Sequence, residues 1–518
     1  MPEISACLLN CPDYCSFIIN PDTRSIRANP DHPFTRGFIC SKGKNFFQRL
    51  ESENRVTRPM LRQKSGFVSI SWDQALDLAA ERISRLRQSP EKILHIRGYG
   101  YRGVLAQASL NFFKALGSSA TYGSLCDEAG IEACQRDFGS LNHNDPLDIL
   151  NATRIINWGK DFARSSPHTA ALVSRARKSG TRVLTISPGG HTTTRADETI
   201  IIRPGTDRFL AAAVIRMFME SGKISREILD RASNSGSFLD YLSSWSVLEL
   251  LSVCDVSPGK AKLVFDWYER PGPAASILGW GLQRYVSGGE NVRFINALAF
   301  ISGNIGVSGG GAYYNIGSGR NLADWAALTS KQPDSGRRQL ALYNLGREIQ
   351  ESSPAIEFIW IDGHNVVNQA PDSLELAQSL KKPFVVCVDG FFNDTALRAD
   401  LILPPAFMLE KEEVLGSCLH NFVNYSARAL EPRGECRSDF DILKDLGQRL
   451  HPAITFPEQS DCLETGLSLL DISLEQIKSQ GFVKAGHPDV AYKNMVFDHS
   501  GGLYSFPESL TPEPDQDP

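Results

Sequence analysis

The chain has 518 residues, of which 42% are hydrophobic and 22% charged, and a formal net charge of −5. That length is more than one hydrophobic core organises, so roughly two to four domains are expected. The ordinary globular composition and mildly acidic balance offer no basis for a nucleic-acid or membrane surface.

The eleven cysteines are an odd number without a secreted disulfide pattern. No basic region followed by an apolar run opens the sequence, and no twin-arginine signal is present. Phe209–Met219 is the most apolar helical stretch, but Arg216 interrupts it and it is too short to span a bilayer. A reduced cytoplasmic setting is therefore expected.

Residues 1–55 read as a small turn-rich module with Pro2, Pro12, Pro21, Pro30 and Pro33. It contains Cys7, Cys11 and Cys15 at C-x3-C-x3-C spacing, and Cys40 in the run Cys40-Ser41-Lys42-Gly43. Soft thiolates suit an iron–sulfur cluster or zinc. Structural zinc usually takes two tight pairs, so three close cysteines and one distant fourth favour a [4Fe–4S] cluster.

Farther on, short apolar runs end in Gly- or Pro-marked loops and give way to helical patterns. The runs are Ile93–Ile96, Arg154–Asn157, Val183–Ile186, Ala274–Leu278, Ile356–Ile361 and Phe384–Val388. Such runs suit strands buried on both faces. The intervening segments Thr169–Lys178 and Asp207–Ser221 carry helical spacing. The alternation predicts α/β architecture: the N-terminal module followed by two doubly wound parallel-sheet domains. Ligands in such folds bind outside the carboxyl ends of the strands. The loops there are rich in Gly, Asp, Asn, Ser and Thr, although none is a dinucleotide or phosphate-loop fingerprint. Pro512–Pro518 reads as a disordered acidic end.

Eight collinear segments then carry a resemblance. They are the cysteine quartet with Cys40-Ser41-Lys42-Gly43, Asn54–Pro59, Ser71–Leu76, Tyr122-Gly123-Ser124-Leu125-Cys126, Trp158–Asp161, Arg203–Asp207, Gly303–Gly306, and Asp394–Asp400 with Leu403-Pro404. Over roughly residues 4–450 the chain resembles the catalytic subunits of molybdopterin-dependent oxidoreductases of the dimethyl sulfoxide reductase type. The resemblance implies domains at 1–55 (cluster module), 56–145 plus 335–450, and 146–334, with a C-terminal extension at 451–518. It implies that Cys7, Cys11, Cys15 and Cys40 ligate a [4Fe–4S] cluster, and that Lys42 lies between cluster and pterin. Cys126 takes the position of the side chain that ligates molybdenum or tungsten.

Two pterin guanine dinucleotides are implied, one at each doubly wound domain. Trp158, Gly159, Ser187, Pro188, Gly205 and Asp207 are the candidates for one. Gly279, Trp280, Gly281, Gly363, Asn365, Asp389, Thr395 and Asp400 are the candidates for the other. The function implied is two-electron redox chemistry at the metal, with electrons passing through the cluster to a redox partner protein docked near it. Asp127, Glu128 and His143 lie near Cys126 in sequence as candidate acids or bases.

Three departures from the family pattern stand out. The first cysteine spacing is C-x3-C where C-x2-C is common. Asp127 follows Cys126 where formate dehydrogenases place histidine, which weakens a formate reading. The chain stops before the usual final barrel domain, so a separate small chain supplying that domain is an expectation. Two rivals share these features: a non-redox hydratase or transhydroxylase using the same cofactor, and a metal-free electron-transfer or scaffold subunit. Cys134, Cys254, Cys387, Cys418, Cys436 and Cys462 show no ligand-like spacing and read as structural.

Overall fold

Continuous β-branched and aromatic runs need partners on both sides, and they find them in two parallel sheets. The computed structural model describes residues 3–98, 102–189, 196–329 and 336–512; the acidic tail beyond Pro512 lies outside them. The chain forms two compact units. Unit one comprises the described residues up to Gly123 together with Ser318–Ser417 and Asn421–Gly486; unit two comprises Ser124–Gly317, Cys418–His420 and the described residues from His487.

Unit one is built on an eight-stranded sheet. Its order is Gln339–Ala341, Ser119–Tyr122, Ile93–Arg97, Phe358–Asp362, Phe384–Val388, Leu401–Leu403, Met60–Gln63, Gly66–Ser69. The first six strands run parallel, and the last two add antiparallel to the edge. Helix Trp72–Arg85 starts at a capping box. The Ser71 hydroxyl accepts from Gln74 N–H at 3.2 Å, and the Gln74 side chain accepts from Ser71 N–H at 3.0 Å. Its buried face, Trp72, Ala75, Leu76, Ala79, Ala80 and Ile83, follows helical spacing. Helix Ala108–Leu116 ends at Gly117, which takes φ +79°, the left-handed conformation glycine tolerates best.

The N-terminal module of unit one is a three-stranded antiparallel sheet, Glu3–Ala6, Ser16–Asn20 and Ser25–Ala28, followed by short helices Ser41–Lys44 and Phe46–Leu50. A second antiparallel sheet joins Glu413–Gly416, Phe422–Ser426 and Phe482–Lys484.

Unit two holds a five-stranded parallel sheet ordered Glu198–Ile201, Arg182–Ser187, Arg154–Trp158, Ala274–Leu278, Ala312–Tyr313. Arg154 begins the central strand and donates to the carbonyls of Trp267, Pro271, Arg270 and Gly272 at 2.5–2.9 Å. Its charge thereby caps helix Pro258–Glu269, whose last carbonyls have no partner within the helix.

The six apolar runs all form strands, and Thr169–Lys178 and Asp207–Ser221 lie in helices Pro167–Lys178 and Asp207–Glu220. The division of the chain differs from expectation. Residues 124–145 pack in unit two, because helix Glu128–Phe138 buries Ala133, Cys134 and Phe138 in that unit's core against helix Gly288–Ile301. The stretch from Ser318 belongs to unit one. The C-terminal segment is shared, with helices Gln459–Leu467 and Leu474–Gln480 in unit one and residues 487–512 in unit two.

One buried ion pair pins the N-terminal module to its sheet. Arg55 Nη1 and Nη2 donate to Glu410 Oε1 and Oε2 at 2.8 and 2.5 Å, with side chains 0% and 2% exposed. Replacing Arg55 with Leu leaves a carboxylate buried without its cation, and denaturant unfolding of unit one is expected to lose about 3–5 kcal/mol. The double variant Arg55→Leu/Glu410→Leu is expected to recover much of that loss; a double variant as unstable as the single would contradict this account.

Candidate iron–sulfur and pterin sites

The cysteine quartet is assembled by backbone turns rather than by long elements. Cys7 N–H donates to the Cys15 carbonyl at 2.9 Å, closing the loop between the first two strands. Tyr14 N–H donates to the Cys11 carbonyl at 3.2 Å. Cys40 is the N-cap of Ser41–Lys44, and its carbonyl accepts from Lys44 N–H at 3.0 Å. An added Cβ on Gly43 would stand 2.4 Å from the end of the Ile39 side chain, so a larger residue there would displace Ile39.

The four sulfurs lie within electrostatic reach of one another. Burial pushes the Cys7 thiol up to about 12, with Cys40 and Asp13 adding to the rise. Burial raises Cys11 and Cys15 as well, and negative charge on Asp13 and on their fellow cysteines raises them further. Such thiols ionise together only around a strongly positive core, which is what an iron–sulfur cluster supplies. The donor set therefore fits the cluster. Among the described residues, no group of three or more His, Cys, Asp or Glu side chains is arranged to hold a single metal ion.

Cys126 sits in unit two on the loop leading into helix Glu128–Phe138. Its N–H donates to Ser124 Oγ at 3.1 Å, and its carbonyl accepts from Gln283 Nε2 at 3.0 Å. Gln283 Oε1 also accepts from Ala129 N–H at 3.0 Å, so one amide braces both sides of the loop. Asp127 is buried as the helix N-cap residue, and accepts from Ser124 Oγ at 3.1 Å and Asn315 Nδ2 at 2.7 Å. Glu128 accepts from Ser124 N–H. His143 Nδ1 lies 2.7 Å from the Asn144 carbonyl. All three candidate acids or bases thus engage local hydrogen bonds.

Unit two's strand-end loops converge. Gly159 N–H donates to Ile186 carbonyl at 2.9 Å and Gly279 N–H to Trp158 carbonyl at 2.8 Å, joining the carboxyl ends of three neighbouring strands. A Cβ on Gly279 would meet the Gly159 carbonyl oxygen at 2.6 Å. Ser187 and Pro188 close the third of these strands, and Ser187 Oγ accepts from Gly189 N–H at 3.3 Å. Gly205, at φ +81°, and Asp207 follow the carboxyl end of Glu198–Ile201. The Asp207 carboxyl is pushed up to about 7 by burial, and its Oδ1 has no hydrogen-bond partner among the described residues. A buried polar atom of this kind at a strand-end loop fits a bound nucleotide.

Two assignments change here. Trp158 is fully buried; its Nε1 donates to Tyr268 Oη at 3.0 Å, so the indole belongs to the core. Gly279, Trp280 and Gly281 lie on unit two's sheet beside Gly159, not with Gly363; Trp280 Nε1 donates to the Tyr314 carbonyl at 3.0 Å.

In unit one, Gly363 ends its strand at φ +61°, and Gly98 packs against it so closely that a Cβ would stand 2.2 Å from the Gly363 oxygen. Thr395 Oγ1 donates to Asn365 Oδ1 at 2.8 Å and accepts from Val367 N–H at 3.0 Å. Asn393 links this pair to Asp389: its Nδ2 donates to Asp389 Oδ2 at 2.6 Å, and its Oδ1 accepts from Thr395 N–H at 3.1 Å. Gly363, Asn365, Asp389 and Thr395 are thus brought together. Asp400 is not. It accepts from Val385 N–H at 2.8 Å at the opposite, amino-terminal edge of the strands.

His95 carries no motif in the sequence; it lies mid-strand, and its Nε2 is 2.6 Å from Asp362 Oδ1 on the neighbouring strand of unit one. Asp362 was visible as the polar residue closing an apolar run, but its partner sits inside another run. Gln283 was missed because a glutamine distant in sequence carries no motif.

Known proteins can now be set beside this geometry. The family model for molybdopterin oxidoreductases matches residues 55–449, and that for the molybdopterin oxidoreductase Fe4S4 domain matches residues 4–52. A probable oxidoreductase, YyaE, of Bacillus subtilis (strain 168) is 32% identical over 522 residues, covering 98% of this chain and 78% of that protein. The assimilatory nitrate reductase catalytic subunit of the same organism is 24% identical over 81% of this chain and 64% of its own length. The structure of acetylene hydratase from Pelobacter acetylenicus matches with a TM-score of 0.82 at 17% identity, over 97% of this chain and 77% of that one, a likeness of fold.

Asp207 yields a pH test on protein without cofactor. Its folded-state value of about 7 exceeds the ordinary 3.8, so its stabilising contribution is complete below the lower value and fades as pH rises to the upper. Asp207→Asn is expected to gain stability over the parent when pH rises from about 5 to about 8 in urea unfolding. Parallel stability curves for the two proteins would contradict this.

Proposed function

The chain belongs to the molybdopterin oxidoreductase family and is a molybdopterin-dependent oxidoreductase with a [4Fe–4S] cluster domain; from that premise we propose how its residues divide the work. Cys7, Cys11, Cys15 and Cys40 hold the cluster. The strand-end loops of each unit hold one pterin guanine dinucleotide: Gly159, Ser187, Pro188, Gly205, Asp207 and Gly279–Gly281 in unit two, and Gly363, Asn365, Asp389 and Thr395 in unit one. Cys126 provides the protein's thiolate to molybdenum or tungsten. When bound, the cofactor supplies two-electron redox chemistry and the cluster single-electron transfer.

One observation carries the Cys126 assignment. Of the seven cysteines outside the quartet, six are buried and only Cys126 is partly exposed. A thiolate ligand must be reachable by the metal it binds, whereas buried thiols behave as small hydrophobes. Gln283 and Ser124 hold the Cys126 backbone from two sides, which fixes where its sulfur is presented. The Asp127 carboxylate is committed to Ser124 and Asn315, so its role is to shape the loop. Lys42, exposed in the turn after Cys40, contributes a positive charge close to the cluster ligands.

Redox chemistry is favoured over hydration because the hydratase likeness is one of fold at 17% identity, whereas the sequence relative at 32% is named as an oxidoreductase. No helix among the described residues is long and apolar enough to cross a membrane. We place the enzyme in the cytoplasm, where its cluster is protected from oxygen.

The assignment is tested with holoenzyme purified without oxygen. Cys126→Ala is expected to retain about four irons per chain and to lose viologen-linked turnover at least about a hundredfold, as removal of a metal ligand requires. Full turnover in that variant would remove Cys126 from the metal. Iron without molybdenum or tungsten in the parent protein would overturn the proposed metal chemistry.

A further inference from the structure

One cation of unit two stands where its charge is disfavoured. Arg208 lies in the first turn of helix Asp207–Glu220, the end of the helix dipole that repels a cation, and its side chain is 0% exposed. Its partners account for it. Nη1 donates to the Gly205 carbonyl at 2.7 Å, while Nε and Nη2 both donate to the Thr511 carbonyl, at 3.2 and 3.1 Å. Glu290 supplies the countercharge, with Oε2 3.6 Å from Nε.

These bonds join segments far apart in sequence. Gly205 and Asp207 belong to the loop proposed above for one dinucleotide. Thr511 lies on a C-terminal strap whose Tyr504, Phe506 and Leu510 are buried in unit two's core. Phe506 N–H and Leu510 N–H donate to Asn234 Oδ1 and Tyr241 Oη at 2.9 and 3.0 Å, which holds the strap along its length. Glu290 grips its far part directly, accepting from Thr511 N–H at 2.8 Å and from Thr511 Oγ1 at 2.5 Å. Asn291, next on the same helix, carries the network onward. Its Oδ1 accepts from Arg208 N–H at 3.0 Å, and its Nδ2 donates to the carbonyl of Leu282, the residue after Gly281, at 3.0 Å. A planar guanidinium bonded to two carbonyls has one well-defined position, so the backbone at Gly205 is fixed by where Thr511 lies.

We propose that Arg208 is a positioning residue through which the C-terminal strap sets the dinucleotide loop of unit two. The proposal rests on the dinucleotide reading above and adds to it residues that touch no ligand. Loosening the strap takes Thr511 from Arg208, and the Gly205 loop loses its fixed register. Coupling of this kind is reciprocal, so a filled site also holds the strap in place.

The test uses full-length holoenzyme purified without oxygen and incubated in urea below its unfolding transition. Released cofactor is separated, and its GMP is freed by acid and counted. Glu290→Ala removes both strap bonds of Thr511 without altering Gly205, Asp207 or any cysteine, and is expected to release GMP about tenfold faster than the parent. Glu290→Gln keeps an acceptor for Thr511 and is expected to stay within about threefold of the parent. Hydrogen exchange reads the coupling in reverse. Relative to amides of helix Gly288–Ile301, Thr511 N–H is expected to exchange about tenfold more slowly in holoenzyme than in the same chain made by a host without pterin synthesis. Parental release by Glu290→Ala, even with a lowered urea midpoint, overturns the proposal, as does equal Thr511 exchange with and without cofactor. Release as fast in Glu290→Gln as in Glu290→Ala overturns it too. A parent that yields no GMP overturns the dinucleotide reading itself, and the proposal with it.

Discussion

The buried pairing of Arg55 with Glu410 is the constraint on which the arrangement of unit one depends. Arg55 also donates to the carbonyls of Leu50 and Pro405, and its guanidinium lies 4.0 Å from the Phe407 ring centroid. Glu410 in turn accepts from the N–H groups of Phe407 and Arg433, and the Arg433 side chain returns to the carbonyls of Leu50 and Ser52. Three stretches far apart in sequence are thereby fixed in one register. A buried pair of this kind gains little over a well-packed apolar substitute, yet losing one partner is severe. Its value is specificity: residues 50–56 leave the cysteine module in one direction only, so the quartet is presented in a fixed orientation to its sheet.

The same economy of backbone governs the loops proposed for the pterins. In unit two Gly279 lies on Gly159, and in unit one Gly98 lies on Gly363, each approach too close for a Cβ. Neighbouring strand ends can then converge, and loop backbone can come close to a bound ligand. Two sheets of different strand count use one device because the physical demand is the same: a narrow gap between adjacent βα turns.

What the sequence made legible follows from burial. Ala274–Leu278 and Phe384–Val388 are strands packed on both faces, so unbroken apolar runs identified them with the observed bounds. Strands Glu3–Ala6 and Met60–Gln63 are four residues long and partly exposed, too short for alternation to register. Helix Glu128–Phe138 was not legible as part of unit two, because its partners in that unit's core, such as Phe300 and Tyr504, are distant in sequence. Asp389 and Asp400 illustrate the limit at the candidate site. Both flank a strand and both accept backbone hydrogen bonds, yet one lies at the carboxyl edge and the other at the amino edge. Only the pairing of the strands separates them.

Sulfur shows how context turns one residue type to different ends. Burial pushes Cys254 and Cys462 up to about 12 and raises Cys134, Cys387 and Cys436, keeping those thiols neutral as small core side chains. Cys7, Cys11 and Cys15 are raised by burial too, but there each sulfur also carries the repulsion of fellow cysteines, a cost that a hydrophobic core has no reason to impose. Three such thiols raised together ionise readily only with a cationic centre among them, which is consistent with a cluster held there. Cys126 lacks both features, being neither buried nor crowded by other thiols, and its loop is instead held by Gln283 and Ser124. Packing thus sets the five cysteines proposed as metal ligands apart from the six buried ones.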